Sequence, residues 1–398
     1  TSNGITGLGD EAITVDSGTA TIAEGDLATL AGLTGTGNAY SITIDDAAVD
    51  AAALNTLDGK TTVAIDAAAV TTLTGLATDL IEAVTSNGIT GLGDEAITVD
   101  SGTANTAQAN ALADETSGIV TAAIAEGDLT TLAALNGTGN AYSITIDDAS
   151  VDAAALNTLD AKTTVAIDAA AVTTLAGAAI DLDNAFSSAG ISGLGNEAVT
   201  LSDTSLNAAV LNTLDDKTTG IIDAGSITTL TGEASELNTA FDSSGISNLD
   251  DVNVTVDIGT ATTAQANDLA DETSGIVTAT IAEGDLATLA GLTGTGNAYS
   301  ITIDDASVDA AALNTLDGKT TVAINAAAIT TLTGAAVDLN TAFDSGGISN
   351  LSDQDVTLTD TSLTASVLNA LDDNTTGSID ASAITTLTGT AVDLNTAF

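Results

Sequence analysis

The chain has 398 residues, 55 acids against four lysines, a formal net charge of −51, 2% aromatics and no His, Pro, Cys, Met or Trp. That charge excludes nucleic acid as a natural partner, because binding phosphate needs a basic surface. No run reaches the roughly 20 apolar residues of a membrane span, and without Cys no disulfide adds stability.

In chain order, ITVDSGTA at Ile13 to Ala20 runs straight into TIAEGD at Thr21 to Asp26. At Ile97 and Val254 the same elements are separated by NTAQANALADETSGIV and TTAQANDLADETSGIV, so the first copy lacks most of one coil. Three kinds of coil then alternate. In the first, Ile22 to Gly35, Asp26 is placed to cap a short helix presenting Leu27, Leu30 and Leu33. Its loop GTGNAYS holds every tyrosine: Tyr40, Tyr142 and Tyr299. Each is expected to lie over the edge of a core layer with its hydroxyl in water; the competing expectation is an aromatic contact site repeated along one face.

The second kind is seen in Ile144 to Leu175, which recurs nearly letter for letter at Ile42 to Leu73 and Ile301 to Leu332. Two β-type runs, Ile144-Thr145-Ile146 and Val165-Ala166-Ile167, each lead into an Asp and an Ala-rich segment, a pattern of strand, Asp, helix, loop. Asp148 or Ser150 is placed to cap the helix that Ala153 to Ala155 favour, with Leu156 and Leu159 facing in. All four lysines, Lys60, Lys162, Lys217 and Lys319, stand in LD(G/A/D)KTT, where a cation in the last helical turn favours the helix dipole.

The third kind is the longest, with apolar positions Val70, Leu73, Ala77, Leu80 and Val84, and again Ile227, Leu230, Ala234, Leu237 and Phe241. This rhythm favours one bent helix running through a central glycine (Gly75, Gly232), at a cost of roughly 1 kcal/mol against Ala; the alternative is that the glycine ends one helix and starts another. Phe186, Phe241, Phe343 and Phe398, the only phenylalanines, close copies of it, and GISGLGNE then adds the anchors Ile191 and Leu194.

The last apolar residues of successive strands are Ile22, Ile44, Ile65, Val99 and Ile124, at spacings of 22, 21, 34 and 25, and Val99 to Val256 is a higher-order repeat of 157. No such unit can bury its own apolar face, so units stack, with equivalent strands pairing in parallel. The expected fold is an α/β right-handed repeat solenoid in a leucine-rich-repeat-like layout, a single array over residues 1–398 with a parallel sheet on one side and short helices on the other. The array is expected to curve, because helices need more room than strands. An all-β solenoid is the alternative. Both ends interrupt a repeat, so the chain is expected to be a piece of a longer protein.

An Asp follows most strands: Asp16, Asp45, Asp66, Asp100, Asp147, Asp168, Asp223, Asp257, Asp304 and Asp380. Stacking is expected to line these up in a column, where neighbouring carboxylates repel unless something offsets them. One candidate is calcium, with Asp45, Asp66, Asp147, Asp168 and Asp304 as its ligands. The other is helix capping, which Asn325, Ser202 and Thr359 at the same position favour. The loops Asp94-Glu95, Asp114-Glu115 and Asp250-Asp251 are further places for calcium, the one cofactor under consideration; neither an EF-hand loop nor the GGxGxD nonapeptide occurs. Without His, Cys or Arg, catalysis would rest on repeating carboxylates alone, so no enzyme is expected. A threonine array binding ice is a minor alternative, since Ala64 and Ala166 interrupt it.

The units VDAAALNTLDGKTTVAI, AITTLTGAAVDLNTAF, VTLSDTSLNAAVLNTLDDKTTG and TAQANALADETSGIVTATI resemble repeats of very long acidic secreted or cell-surface proteins of marine cyanobacteria. The resemblance covers the whole chain; it implies export and a surface or matrix role, and it carries over no site residues. The charge fits a saline or calcium-containing medium that screens it. The expected function is a structural extracellular repeat protein that self-associates into filaments or matrix through open strand edges. The alternative is a surface adhesin holding a glycan or protein partner.

Overall fold

The computed structural model describes residues 18–398. Expectations that rest on Asp16 and on the opening copy of the repeat lie outside the described residues. The described residues fall into two compact units, one running to Leu175 and taking in Asp181–Leu194, the other of Ala176–Ile180 with Gly195–Phe398.

The first unit is an α/β repeat solenoid. Strands Ala48–Asp50, Thr72–Gly75, Ala96–Val99, Val120–Ala123 and Ala141–Ser143 pair in parallel in chain order as one five-stranded sheet. Ala48 pairs with Thr72 and Thr72 with Ala96; further along, Ile97 pairs with Val120 and Thr121 with Ala141. One turn of the solenoid thus carries the chain from Ala48 to Thr72, the next from Thr72 to Ala96, and the later turns are slightly shorter. A second, shorter ladder joins Ile65–Asp66 to Ile89–Thr90, with Thr43 bridged to Asp66 on the other side.

The second unit repeats the design. Ser205–Asn207, Thr229–Gly232, Asn253–Val256, Val277–Thr280 and Ala298–Ser300 form a parallel sheet, and Ser307–Asp309, Thr331–Gly334, Asp355–Leu358 and Ile379–Asp380 form another. The helices rule out the all-β alternative.

Helices pack on the strands of their own coil and on the helix of the next; Ala51–Asp58, Ala77–Thr85 and Thr106–Glu115 stand side by side in the first unit. The core is made of small layers. Leu54, Leu57, Leu80 and Leu112 from the helices meet Leu73, Ile97 and Val120 from the sheet, none more than 2% exposed. Each such side chain contributes about 1.5–3 kcal/mol, which no isolated coil could collect. Asparagines tie adjacent helices together: Asn55 Nδ2 donates to Asp79 O at 2.9 Å, and Asn212 and Asn314 do the same to Glu236 O and Asp338 O at 3.0 and 2.9 Å.

Two expectations about the coils fail here. The longest coil does not carry one bent helix. Thr72–Gly75 is a strand, Gly75 takes φ +146°, and the helix begins only at Ala77. The β-branched threonines and Leu73 fit the ladder between Val49 and Ile97, and the glycine's positive φ stops a helix from running through. The three-four spacing across Gly75 mixes inward positions of a strand and a helix. Likewise the residues before the Ala-rich helix are a strand, Ala48–Asp50 or Ser150–Asp152, and the cap is its last residue. Asp152, not Asp148 or Ser150, accepts from Ala155 N at 2.9 Å, as Asp50 does from Ala53 N.

Candidate functional site

The aspartates do not form a column. Asp66 stands between Thr43 and Thr90, and Asp168 between Thr145 and Ser192, because the register of these ladders puts hydroxyl side chains on either side of each Asp. In the second unit Asp223 stands between Thr200 and Ser247, and Asn325 between Thr302 and Ser349. The expected carboxylate repulsion is thereby avoided, and Thr90 Oγ1 instead donates to Ile65 O at 3.0 Å.

Nor do these aspartates cap helices. Asp66 and Asp168 accept from the amides of Ala68 and Ala170, two residues on, at 3.2 and 3.1 Å, which makes a local Asx turn. Asn325 makes the same turn with Ala327 N at 3.2 Å. Asp223 accepts from Gly225 N and from the amide of Asn248, the latter bond doing most to hold its carboxyl below the usual range. Asp45, Asp147 and Asp304 lie over glycines: a Cβ on Gly25, Gly127 or Gly284 would meet their Cγ atoms at 2.5, 2.6 and 2.6 Å. Among the described residues, no three acidic side chains come together as a metal site. None of the five calcium candidates, Asp45, Asp66, Asp147, Asp168 and Asp304, stands in such a group.

Caps come from other acids, and several reach across coils. Asp46 Oδ2 accepts from Leu27 N, Asp148 from Leu129 N and Asp305 from Leu286 N, each at 2.7 Å. Glu126 and Glu283 do likewise for Thr106 N and Thr263 N, and Asp360 for Ala336 N. A helix start has unpaired amides and a positive dipole end, so a carboxylate from the next coil both satisfies a donor and fixes the spacing of the two coils. Within the short helices, Asp26, Asp128 and Asp285 cap Thr29, Thr131 and Thr288, bonds that hold their carboxyls below the usual range. The acidic composition is largely a supply of acceptors.

Tyr142 and Tyr299 overturn both readings made of the tyrosines. Tyr142 and Tyr299 are fully buried, with hydroxyls donating to Ala109 O at 3.5 Å and Ala266 O at 3.3 Å; only Tyr40 is partly exposed. Burial pushes both phenols up to about 12. Lys60 follows the cap Gly59 rather than occupying the last turn, its amide donating to Leu57 O. A threonine row does exist, at Thr74, Thr98 and Thr121 of the sheet rather than on the runs predicted, and it ends after three at Ala141.

Sequence reasoning placed Asp94-Glu95 among the acidic loops open to calcium and passed over Glu197; what it missed is the burial of both glutamates, in the loops that close GITGLGDE and GISGLGNE. Glu95 and Glu197 are 0% exposed. Both Glu95 oxygens accept from Gly93 N, at 2.7 and 3.0 Å; Glu197 Oε2 accepts from Gly195 N at 2.7 Å and Asn196 N at 3.1 Å, while its Oε1 is buried without a partner. A third copy of the loop carries Gln354, 3% exposed, and a fourth carries Val252. The signal available in the sequence was the variation Glu, Glu, Val, Gln at one position of an otherwise steady motif, flanked by glycines that hold φ +88° at Gly91 and +142° at Gly93. No known family model matches the chain, and no curated protein matches it.

Proposed function

We propose that the chain is a structural segment of an extracellular, cell-surface or matrix protein, which spans distance and self-associates, and which has no catalytic role. The observation that carries this reading is the return of the same bonds at the same lengths in both copies of the higher-order repeat. Leu129 N to Asp148 and Leu286 N to Asp305 are both 2.7 Å, and the same buried tyrosine recurs as Tyr142 and Tyr299. An active site or a selective binding surface is one irregular place; here acids such as Asp148 and Asp305 serve the scaffold alike in both copies. The net charge of −51 supports a saline medium, where a Debye length of about 8 Å or less screens self-repulsion. A glycan-binding adhesin would need accessible aromatics, and the burial of Tyr142 and Tyr299 counts against that reading.

Electron microscopy of the purified chain in sea-water-like salt, with and without a chelator, tests the proposal. Filaments or sheets are the expected result. Separate particles at every concentration and salt would overturn self-association, and saturable binding to a glycan array would replace the structural reading with the adhesin.

A further inference from the structure

We infer that the loops carrying Glu95 and Glu197 each take a hard, oxygen-preferring cation such as calcium, and that the Gln354 loop is a copy in which an amide nitrogen stands where the others need the ion. In the Gln354 loop the side-chain orientation is fixed by its partners. Its Oε1 accepts from Ser352 N at 2.8 Å and Asp353 N at 3.2 Å. Its Nε2 therefore faces three oxygens: Asn350 O at 3.1 Å, Ile329 O at 3.3 Å and Asp353 Oδ1 at 3.1 Å. The loop backbone thus builds a small basket of acceptors, with a donor at its centre.

Glu95 occupies the same position in the first unit, and the residues matching the basket are Gly91, Val70 and Asp94. Its oxygens take the amide of Gly93 as Gln354 Oε1 takes those of Ser352 and Asp353. An ionised carboxylate has no hydrogen to give, so nothing in the Glu loops donates where Gln354 supplies Nε2; both Glu95 oxygens lie on the Gly93 amide, and in the Glu197 loop Oε1 is left over. At the matching positions the Glu95 loop carries two carboxylates, Glu95 and Asp94, and the Glu197 loop one, with Asn196 in place of Asp94; acceptors gathered at such a spot with no donor among them call for a positive charge. The independent sign of this need is in the second unit, where Glu197 Oε1 is buried with no hydrogen-bond partner. A buried carboxylate oxygen without a donor is costly, and an ion is one of the few things that removes the cost. The next coil holds the loop in place: Thr116 Oγ1 donates to Glu95 O at 2.6 Å and Ser117 N to Gly93 O at 2.9 Å.

The test is calcium titration of the whole chain by calorimetry in about 0.5 M sodium chloride, where diffuse binding to exposed acids is screened. Thermal unfolding is followed alongside with and without chelator. The parent chain should show saturable binding and a Tm several degrees higher with calcium. Glu95→Gln with Glu197→Gln should lower the stoichiometry by two per chain, whatever the matching Glu11 outside the described residues contributes, and should make Tm less dependent on calcium. Gln354→Glu should add one equivalent. Unchanged stoichiometry in both variants, or Gln variants that are simply more stable whether or not calcium is present, would overturn the inference. Should the double variant not fold, the Gln354→Glu result decides alone. Filament formation is not a readout of this experiment, so its failure is separable from failure of the structural role.

Discussion

Two loops that follow paired strands of one ladder show what an acidic side chain can be in this molecule. Asp66 and Thr90 are partners in register, yet the turn after Ile65–Asp66 keeps its carboxylate exposed and bonded to its own Ala68 amide, while the loop after Ile89–Thr90 turns Glu95 wholly inside. The first acid is replaceable, and Asn325 replaces it with the same bond. The second is part of the core. Regular spacing therefore says little about importance; what matters is whether the backbone carries the side chain under the loop.

The largest effect should come from closing the space that the buried loop occupies. A Cβ on Gly118 would overlap the backbone carbonyl of Glu95, which Thr116 Oγ1 already holds, and backbone cannot give way as a flexible side chain can. Gly118→Ala is expected to cost about 3 kcal/mol, read as a fall in the denaturant midpoint. Gly346, whose Cβ would meet nothing within 4 Å and whose place is taken by Ala189 in another copy, is the control. Gly346→Ala should change stability by less than about 0.5 kcal/mol. Equal losses at the two glycines would remove the contrast between the buried loop and its surroundings.

The buried tyrosines extend the contrast to alkaline pH. Tyr142 and Tyr299 titrate at about 12 in the folded chain and near the ordinary 10.0 when unfolded, so between these values the unfolded state releases protons that the folded state keeps. Stability from this source is complete below about pH 10 and is lost as pH rises towards 12, by about 1 kcal/mol per tyrosine at pH 11. Tyr142→Phe with Tyr299→Phe should flatten that part of the stability profile. Absorbance of the phenolates should rise for these two side chains only as the fold is lost, and early, reversible ionisation of both in the intact chain would sink the idea.

The solenoid itself was legible because stacking follows from repetition. Short units with apolar residues at strand and helix spacing have no other way to bury Ile65, Leu73 and Leu80. The coil boundaries were less so. Val70, Leu73, Ala77 and Leu80 read as one helix because the inward positions of a strand that ends in Gly75 and a helix that starts at Ala77 happen to fall three and four apart. The short strand Ala48–Asp50 was invisible for the opposite reason: its Ala and Asp lack strand propensity, and only pairing with Thr72–Thr74 makes it one. Cross-coil caps such as Asp148 on Leu129 N depend on the register of separate coils, which no local pattern contains. Burial of Glu95 depends on two nearby positive-φ glycines, Gly91 and Gly93, that fold the loop over the side chain.

The smallest effects belong to the exposed acids, and they rank by what each side chain holds. Asp50 satisfies Ala53 N at the start of a helix, so Asp50→Ala should cost about 1 kcal/mol, the ordinary loss of an N-cap. Asp66 holds only a turn amide in water, so Asp66→Asn, which keeps the acceptor and removes the charge, should leave stability within about 0.5 kcal/mol of the parent, as Asn325 already does in its own coil. The informative reading is calcium dependence. If Asp66 is only a turn acceptor, Asp66→Asn leaves the calcium stoichiometry and the calcium-dependent part of Tm where they were, while Glu95→Gln changes both. A lost equivalent in Asp66→Asn would return the ion to the aspartates that the sequence first singled out, and would make the buried glutamate a structural residue.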